Sequence, residues 1–387
     1  MKRNSKIITF LIISYFLSSL LLLSGCWNKT ELNETVIVSG TGIDMDEDGK
    51  IKIAVQIIQP TRVKKKESSA FVVFTSKGES VFEAINNFTS VFGRKLVFNH
   101  LKIIIIGPNI ADTDLQSVLD YFLRDGESRL RASVFYADQP VEEILKAQSP
   151  FEPITAIRIQ KEIEINDELL GYAPLVRLYE FERKMLVSDG ATFAPIIRKV
   201  LNEGYPLISI HSIAVFNHGK KVGSLNKKET RGVLWLTNRV KGGSIIVSLP
   251  LASGAADKKE KVTLKILTAK SDLKPTVKGG RVTIQAKIET TMNIADVEGY
   301  LAINEREIKE IEKKAEQVIK EEINSSLIKN KKWQADIYCL NQLVHQQYPD
   351  FWQENRDNWG DLFAEMDLKI EVEAKIRNSG FLKHSLE

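Results

Sequence analysis

Residues 51–58 alternate, with Ile51, Ile53, Val55 and Ile57 interleaved by Lys52, Ala54, Gln56 and Ile58, the period of a half-buried strand. Upstream, Val36-Ile37-Val38 leads into Gly40-Thr41-Gly42-Ile43, and the polar residues 44–49 join both segments into a predicted hairpin. After Lys64-Lys65-Lys66, which reads as an exposed loop, the period changes: Val81, Phe82, Ile85, Phe88 and Phe92 recur at helical spacing and predict one apolar face. Leu101 and residues 103–106 form an apolar run ended by Gly107-Pro108, as in a strand covered on both sides. Asp112 or Thr113 is placed to cap a helix with Leu115, Val118, Leu119 and Phe122 inward. A strand at 132–136 and a helix at 140–146 opened by Pro140 continue the alternation, which predicts an α/β layer.

Pro150, Pro153, Gly171 and Pro174 punctuate a more helical stretch with a stripe of Leu175, Leu178, Phe181, Met185 and Leu186, a smaller subdomain or bridge. Gly204-Tyr205-Pro206 reads as the main boundary. Beyond it, strands are expected at 208–216 and 221–225 around an Asn217-His218-Gly219-Lys220 turn, then at 245–249, 262–267 and 282–288, with turns at Pro275 and Gly279-Gly280. Ile308, Ile311, Ala315, Val318, Ile319, Ile323 and Leu327 share one face of a helix over 306–327, whose charged residues read as its solvated face. A helix at 333–347, an aromatic cluster of Phe351, Trp352 and Trp359, and a strand with Met366, Leu368, Ile370, Val372, Ala374 and Ile376 inward complete an α+β unit. The expected class is α+β or mixed α/β, multi-domain, with mixed sheets and packed helices in about three domains: 26–150, 151–207 and 208–380, preceded by a leader at 1–25 and followed by a tail at 381–387.

The leader changes the picture most. Basic Lys2, Arg3 and Lys6 precede an apolar run at 7–23 that ends in Leu23-Ser24-Gly25-Cys26. A charged start, an apolar middle and a small-residue cleavage site mark a secretory signal, and the tetrapeptide makes Cys26 the new N-terminus carrying a diacylglycerol thioether. A spanning helix needs about 20 apolar residues and gives no reason for the tetrapeptide. Removal of residues 1–25 leaves 51 basic against 50 acidic residues, too near neutrality for nucleic-acid binding, which needs clustered cations. Besides Cys26 the only cysteine is Cys339, so no intramolecular disulfide forms and no thiol-rich metal site can be built.

The motifs of chemistry are missing: no Gly-x-Ser-x-Gly, no Gly-x-x-x-x-Gly-Lys, no His-Glu-x-x-His, no paired cysteines. Ser326-Leu327-Ile328-Lys329 matches Ser-x-x-Lys without its companion motifs and reads as chance. Asp44-Met45-Asp46-Glu47-Asp48-Gly49 resembles the first half of a calcium loop, but the position for a bidentate Glu is Val55, so an Asp-Gly turn is expected. His100, His211, His218, His345 and His384 include no pair at i+4 spacing. No catalytic residue, cofactor or metal site is expected.

Several short pieces together resemble the Ger(x)C family, the lipoprotein subunits of spore nutrient-germinant receptors. They are Gly25-Cys26-Trp27 with Glu31-Leu32, Gly40-Thr41-Gly42-Ile43-Asp44, Gln59-Pro60, and His100-Leu101-Lys102-Ile103-Ile104-Ile105-Ile106-Gly107. Further on come Leu119-Asp120 with Arg124, Glu127 and Arg129, then Glu229-Thr230-Arg231-Gly232, Leu234-Trp235, Lys241-Gly242-Gly243, Trp352 and Trp359. The resemblance implies a non-enzymatic germination protein, held by Cys26 on the outer, extracytoplasmic face of the inner spore membrane. It also implies assembly there with an A-type subunit and a transporter-like B-type subunit, and three mixed α/β domains. Direct binding of a small molecule is not expected. The competing readings are a solute-binding lipoprotein of a transporter, against which the hairpin-rich strands weigh, and a tethered cell-wall hydrolase, which lacks a nucleophile or metal set.

Overall fold

The structure is a computed structural model that describes residues 10–15, 34–65, 67, 69–113, 115–124, 131–148, 151–187, 190–250, 259–298 and 304–378. In the first half the elements are β1 (Thr35–Met45), β2 (Ile51–Ile58), α1 (Pro60–Lys64), β3 (Phe71–Gly78), α2 (Val81–Phe92), β4 (Lys95–Val97), β5 (Ile103–Ile106), α3 (Leu115–Arg124), β6 (Ser133–Tyr136), α4 (Val141–Leu145), α5 (Thr155–Ile165), α6 (Leu178–Val187), β7 (Thr192–Asn202), β8 (Tyr205–Asn217) and β9 (Lys220–Leu225). They build a nine-stranded mixed sheet of order β3-β2-β1-β5-β6-β7-β8-β9, with β4 pairing with β1. Its centre, β1-β5-β6-β7, is parallel, and antiparallel hairpins flank it on both sides.

β5 shows why the centre is apolar on every residue. Ile103 and Ile105 pack into one core with Val141 and Ile144 of α4 and Ile159 and Ile163 of α5. Ile104 and Ile106 pack into the other with Val81 and Phe88 of α2, Phe122 of α3 and Phe181 of α6. Helices therefore cover both faces of the sheet, the arrangement a parallel strand requires. Two of the hairpins close through pairs of left-handed residues, Glu203 (φ 50°) with Gly204 (φ 81°) and His218 (φ 48°) with Gly219 (φ 76°), the twist that suits antiparallel ribbons.

The second half comprises α7 (Lys227–Leu236), β10 (Ser244–Pro250), β11 (Lys259–Lys278), β12 (Arg281–Glu298), α8 (Glu305–Lys332), α9 (Leu340–Gln347), α10 (Pro349–Asn355), α11 (Trp359–Glu365) and β13 (Asp367–Asn378). The strands form a second sheet, β10-β11-β12-β13, antiparallel except for the parallel β12–β13 pair. Ile311, Ala315, Ile319 and Ile323 of α8 share a core with Val262, Leu264, Ile284, Ile288 and Val372 of the strands. β13 is an edge strand, and α8 guards it: the amides of Ala374 and Ile376 donate to Glu316 Oε1 (3.3 Å) and Glu312 Oε1 (2.8 Å). The mixed α/β, α+β class read from the sequence is the class observed.

Several local expectations are corrected. Phe82 is 61% exposed, because at 3.6 residues per turn it lies about 100° from the stripe of Val81, Ile85 and Phe88. Leu186 is 58% exposed for the same reason. Lys64, the first residue of the expected loop, instead ends a short exposed helix over residues 60–64. β7 runs through a stretch read as helical, and Gly204-Tyr205-Pro206 lies in its hairpin with β8, so position 207 falls within a strand. Pro275 sits inside β11 opposite Ile284, not in a turn. β10 pairs only with residues 259–265 of β11, so Pro275 occupies a stretch beyond that pairing, where proline is tolerated. α8 has 28 residues, about 42 Å, and Trp333 closes it. Left-handed Gln334 and Cys339 then separate it from α9.

Candidate functional site

Cys26, Trp27, Glu31, Leu32, Glu127, Arg129, His384 and the tail at 381–387 lie outside the described residues. Within the leader's apolar run, residues 10–15 are helical and exposed. No helix among the described residues is long and apolar enough to cross a membrane.

The matched residues of β1 hold loops together. Added to Gly42, a Cβ would stand 2.6 Å from Val141 Cβ, so glycine lets α4 lie directly on the strand. Asp44 Oδ1 accepts the amides of Asn109 (3.0 Å) and Ile110 (3.1 Å) and so caps the turn that follows Gly107. Asp46 Oδ1 accepts the amides of Asp48 (3.0 Å) and Lys50 (2.8 Å), and Lys77 Nζ reaches its Oδ2 at 2.7 Å. That hydrogen bond from Lys77, before the other contacts, holds the Asp46 carboxyl below its usual range. The turn is thus the Asp-Gly turn expected from the sequence. A cleft of about 500 Å³ opens here, and the cations at it are each taken by a carboxylate: Lys52 by Glu142 (2.6 Å), Lys77 by Asp46 and Arg198 by Asp138 (2.6 Å). No group of three or more His, Cys, Asp or Glu residues able to hold a metal occurs among the described residues.

The second matched set forms a buried clamp between α7 and α8. Asn226 and Glu229 make a capping box at the start of α7, and Lys329 pairs with Glu229 at 2.8 Å. One turn on, Arg231 grips Glu322 with two nitrogens, Nε at 2.8 Å and Nη2 on the other oxygen, while Nη1 reaches the Ser244 carbonyl and Trp235 Nε1 donates to Glu322 Oε2 at 3.1 Å. At Gly232 a Cβ would stand 2.1 Å from the Glu322 carbonyl oxygen, which fixes glycine where the two helices touch. The expectation that every charge on α8 is solvated is therefore wrong for Glu322, which is buried. Its position among Ile319, Ile323 and Ser326, on the inward stripe, is the sequence feature that marks it.

Ser326 of the Ser-x-x-Lys match is also buried; it donates to the Ile323 carbonyl or shares a proton with Tyr338 (2.8 and 2.9 Å), while Lys329 is engaged by Glu229. The pair has no nucleophilic geometry. Asp336, fully buried, accepts the amides of Leu340 (3.1 Å) and Asn341 (2.8 Å) and Trp359 Nε1 (3.1 Å). His211 Nδ1 bonds Ser209 Oγ at 2.7 Å, and His345 stacks on Trp352; the histidines among the described residues do not converge. Lys241-Gly242-Gly243 joins the two halves: Lys241 pairs with buried Asp167, and Arg239 Nη1 meets Glu180 at 2.6 Å.

Glu182 on α6 was not singled out by any pattern. It is buried, its Oε1 has no hydrogen-bond partner among the described residues, and burial, with a smaller push from the charge of Asp120, raises its pKa to about 8. The folded state therefore binds a proton that the unfolded state releases near its ordinary pKa of 4.5. Stability is full below that value and falls as pH rises to about 8. Glu182→Gln is expected to remove this slope, gaining on the order of 3 kcal/mol over the parent at pH above 8. Urea unfolding of both proteins across this range checks it; parallel curves would refute the assignment.

Two family models match in tandem: one described as the spore germination protein N-terminal domain over residues 28–199, and one described as spore germination B3/GerAC like, C-terminal, over residues 211–380. Spore germination protein KC of Bacillus subtilis (strain 168) is 23% identical over 399 aligned residues that cover 96% of each chain. Spore germination protein B3 of the same organism is 23% identical, covering 93% of this chain and 96% of its own. The crystal structure of the GerBC protein superposes with a TM-score of 0.58 over 88% of this chain and 97% of that one, at 18% identity, a likeness of fold.

Proposed function

From the premise that the chain belongs to the GerAC-like, Ger(x)C family of spore germination proteins, we propose that it is the lipoprotein subunit of a spore nutrient-germinant receptor. In this reading Cys26 carries the lipid, the body sits on the outer face of the inner spore membrane, and it assembles with A-type and B-type subunits without catalysing a reaction. The carrying observation is that both family models together span nearly the whole chain beyond the leader. The clamp and the loop caps support it, since the polar residues shared with the family are spent on architecture. The cations at the cleft are already paired with carboxylates, which favours protein binding over capture of an anionic solute.

Acyl chains contribute about 0.8 kcal/mol per buried CH₂, and stable anchoring takes two chains or an equivalent second contribution. Cys26→Ala is therefore expected to abolish fatty-acid labelling, release the protein from the spore membrane fraction and eliminate the response to that receptor's nutrients. Unchanged labelling of the variant would refute the anchor. Normal germination of a strain lacking the gene, with every nutrient tried, would refute the receptor role.

A further inference from the structure

We infer that one end of the nine-stranded sheet is a face that lies on an anionic lipid surface, an orientation that rests on the membrane-anchored reading above. β1, β5 and β6 run parallel, with Gly40 opposite Ile103 and Ile103 opposite Ser133, so they start at the same end. β2 finishes there, since Ile57 pairs with Val38, and α1 follows it; β4 brings Lys95 opposite Thr35. The topology thereby gathers Arg62, Lys64, Lys65, Arg94, Lys95 and Lys102 at the starting end, all but the half-buried Lys102 exposed. Val63 and Val91 stand among them, 40% and 80% exposed.

The acidic residues described at this end include Glu34 and Glu67, together with Glu152 and Glu164, which are taken by Lys161 and Arg177. Arg62 reaches Glu67 at 3.5 Å, while Lys64, Lys65, Arg94 and Lys102 make no ion pair among the described residues. At the opposite end the named cations are matched by carboxylates, Lys77 by Asp46 and Arg198 by Asp138, with Glu47 and Asp48 beside them. Residues 26–387, with 51 basic against 50 acidic residues, thus carry a cationic face that their total charge conceals.

Chain length selects the occupant. Cys26 precedes Thr35 by nine residues, a tether of at most about 30 Å, and β1 enters the sheet at the cationic end. An anchored body therefore meets the bilayer with this end first, at high effective concentration. Each cation close to an anionic surface strengthens attraction roughly fivefold, an attraction confined to within about 8 Å at physiological salt. The exposed valines suit the headgroup boundary.

The test uses the full lipidated protein reconstituted into phosphatidylcholine vesicles with and without phosphatidylglycerol. Reductive methylation of lysines is followed by mass spectrometry, with exposed Lys270 and Lys278 as internal references. Methylation of Lys64 and Lys65 is expected to slow several-fold on the phosphatidylglycerol vesicles and to recover in high salt. In the Lys64→Glu/Arg94→Glu/Lys95→Glu variant, Lys65 is expected to react equally on both vesicles. Equal rates for Lys64 and Lys65 on the two compositions, or slowing at Lys50 and Lys52 of the opposite end, would overturn the orientation. Loss of the protein from both kinds of vesicle would instead overturn the anchored reading on which it rests.

Discussion

Glu322→Ala is expected to cost about 3–5 kcal/mol of unfolding free energy, the penalty for leaving a buried charge without its partner. Three groups lose their acceptor at once: Arg231 Nε, Arg231 Nη2 and Trp235 Nε1. Gly232 holds α7 too close to α8 for the helices to part and admit water freely. Replacing both charges, Arg231→Met with Glu322→Leu, is expected to cost less than Glu322→Ala alone, because no unpaired charge remains. Urea unfolding of the single and double variants measures both quantities. A single-variant loss below about 1 kcal/mol, the range of an exposed pair, would show that the clamp does not hold the helices.

The second large effect is expected at Asp336. Asp336→Ala removes the acceptor for the Leu340 and Asn341 amides, which open α9, and for Trp359 Nε1, which opens α11. Each buried donor left unmade costs about 1–3 kcal/mol, so a total near 4 kcal/mol is expected with partial relaxation. Asp336→Asn keeps one acceptor oxygen and is expected to lose about half as much. Thermal unfolding followed by tryptophan fluorescence reads both, since Trp359 is buried against Trp352 (ring centroids 5.3 Å). A loss near zero for Asn beside a large loss for Ala would mean that packing, which Asn retains, and not the paired acceptors, sets the cost.

Where periodicity was unbroken, the elements were legible. The alternation of residues 51–58 is β2, the four isoleucines of β5 divide between two cores, and the stripe from Ile311 to Leu327 is the inner face of α8. β7 was not legible, because Pro195 interrupts the run and its pairing with β8 shifts register between Pro195 and Ile197, so the period-2 pattern breaks in the middle. The end of α8 was hidden by Asn324, Ser325, Ser326 and Asn330, residue types that usually close helices. Two of these instead make buried hydrogen bonds to the Tyr338 hydroxyl. The Arg231–Glu322 pair was half visible: Arg231 lay in a motif shared with the family, but nothing local links it to a glutamate 91 residues away. The family-matched residues among those described, such as Gly42, Asp44, Arg231 and Gly232, are structural, so the family was legible from the resemblance and not from side-chain chemistry.

The glutamates that reach from α8 to β13 have a consequence for how this body can join others. An edge strand offers its free amides to any passing strand, the usual route to intermolecular sheet growth. Here two of those amides, Ala374 and Ile376, are already taken by carboxylates, and a newcomer would have to displace charged acceptors to use them. Crowded molecules would therefore resist stitching into fibres along this edge, and assembly would proceed by contact between side-chain surfaces, which can be selective and reversible.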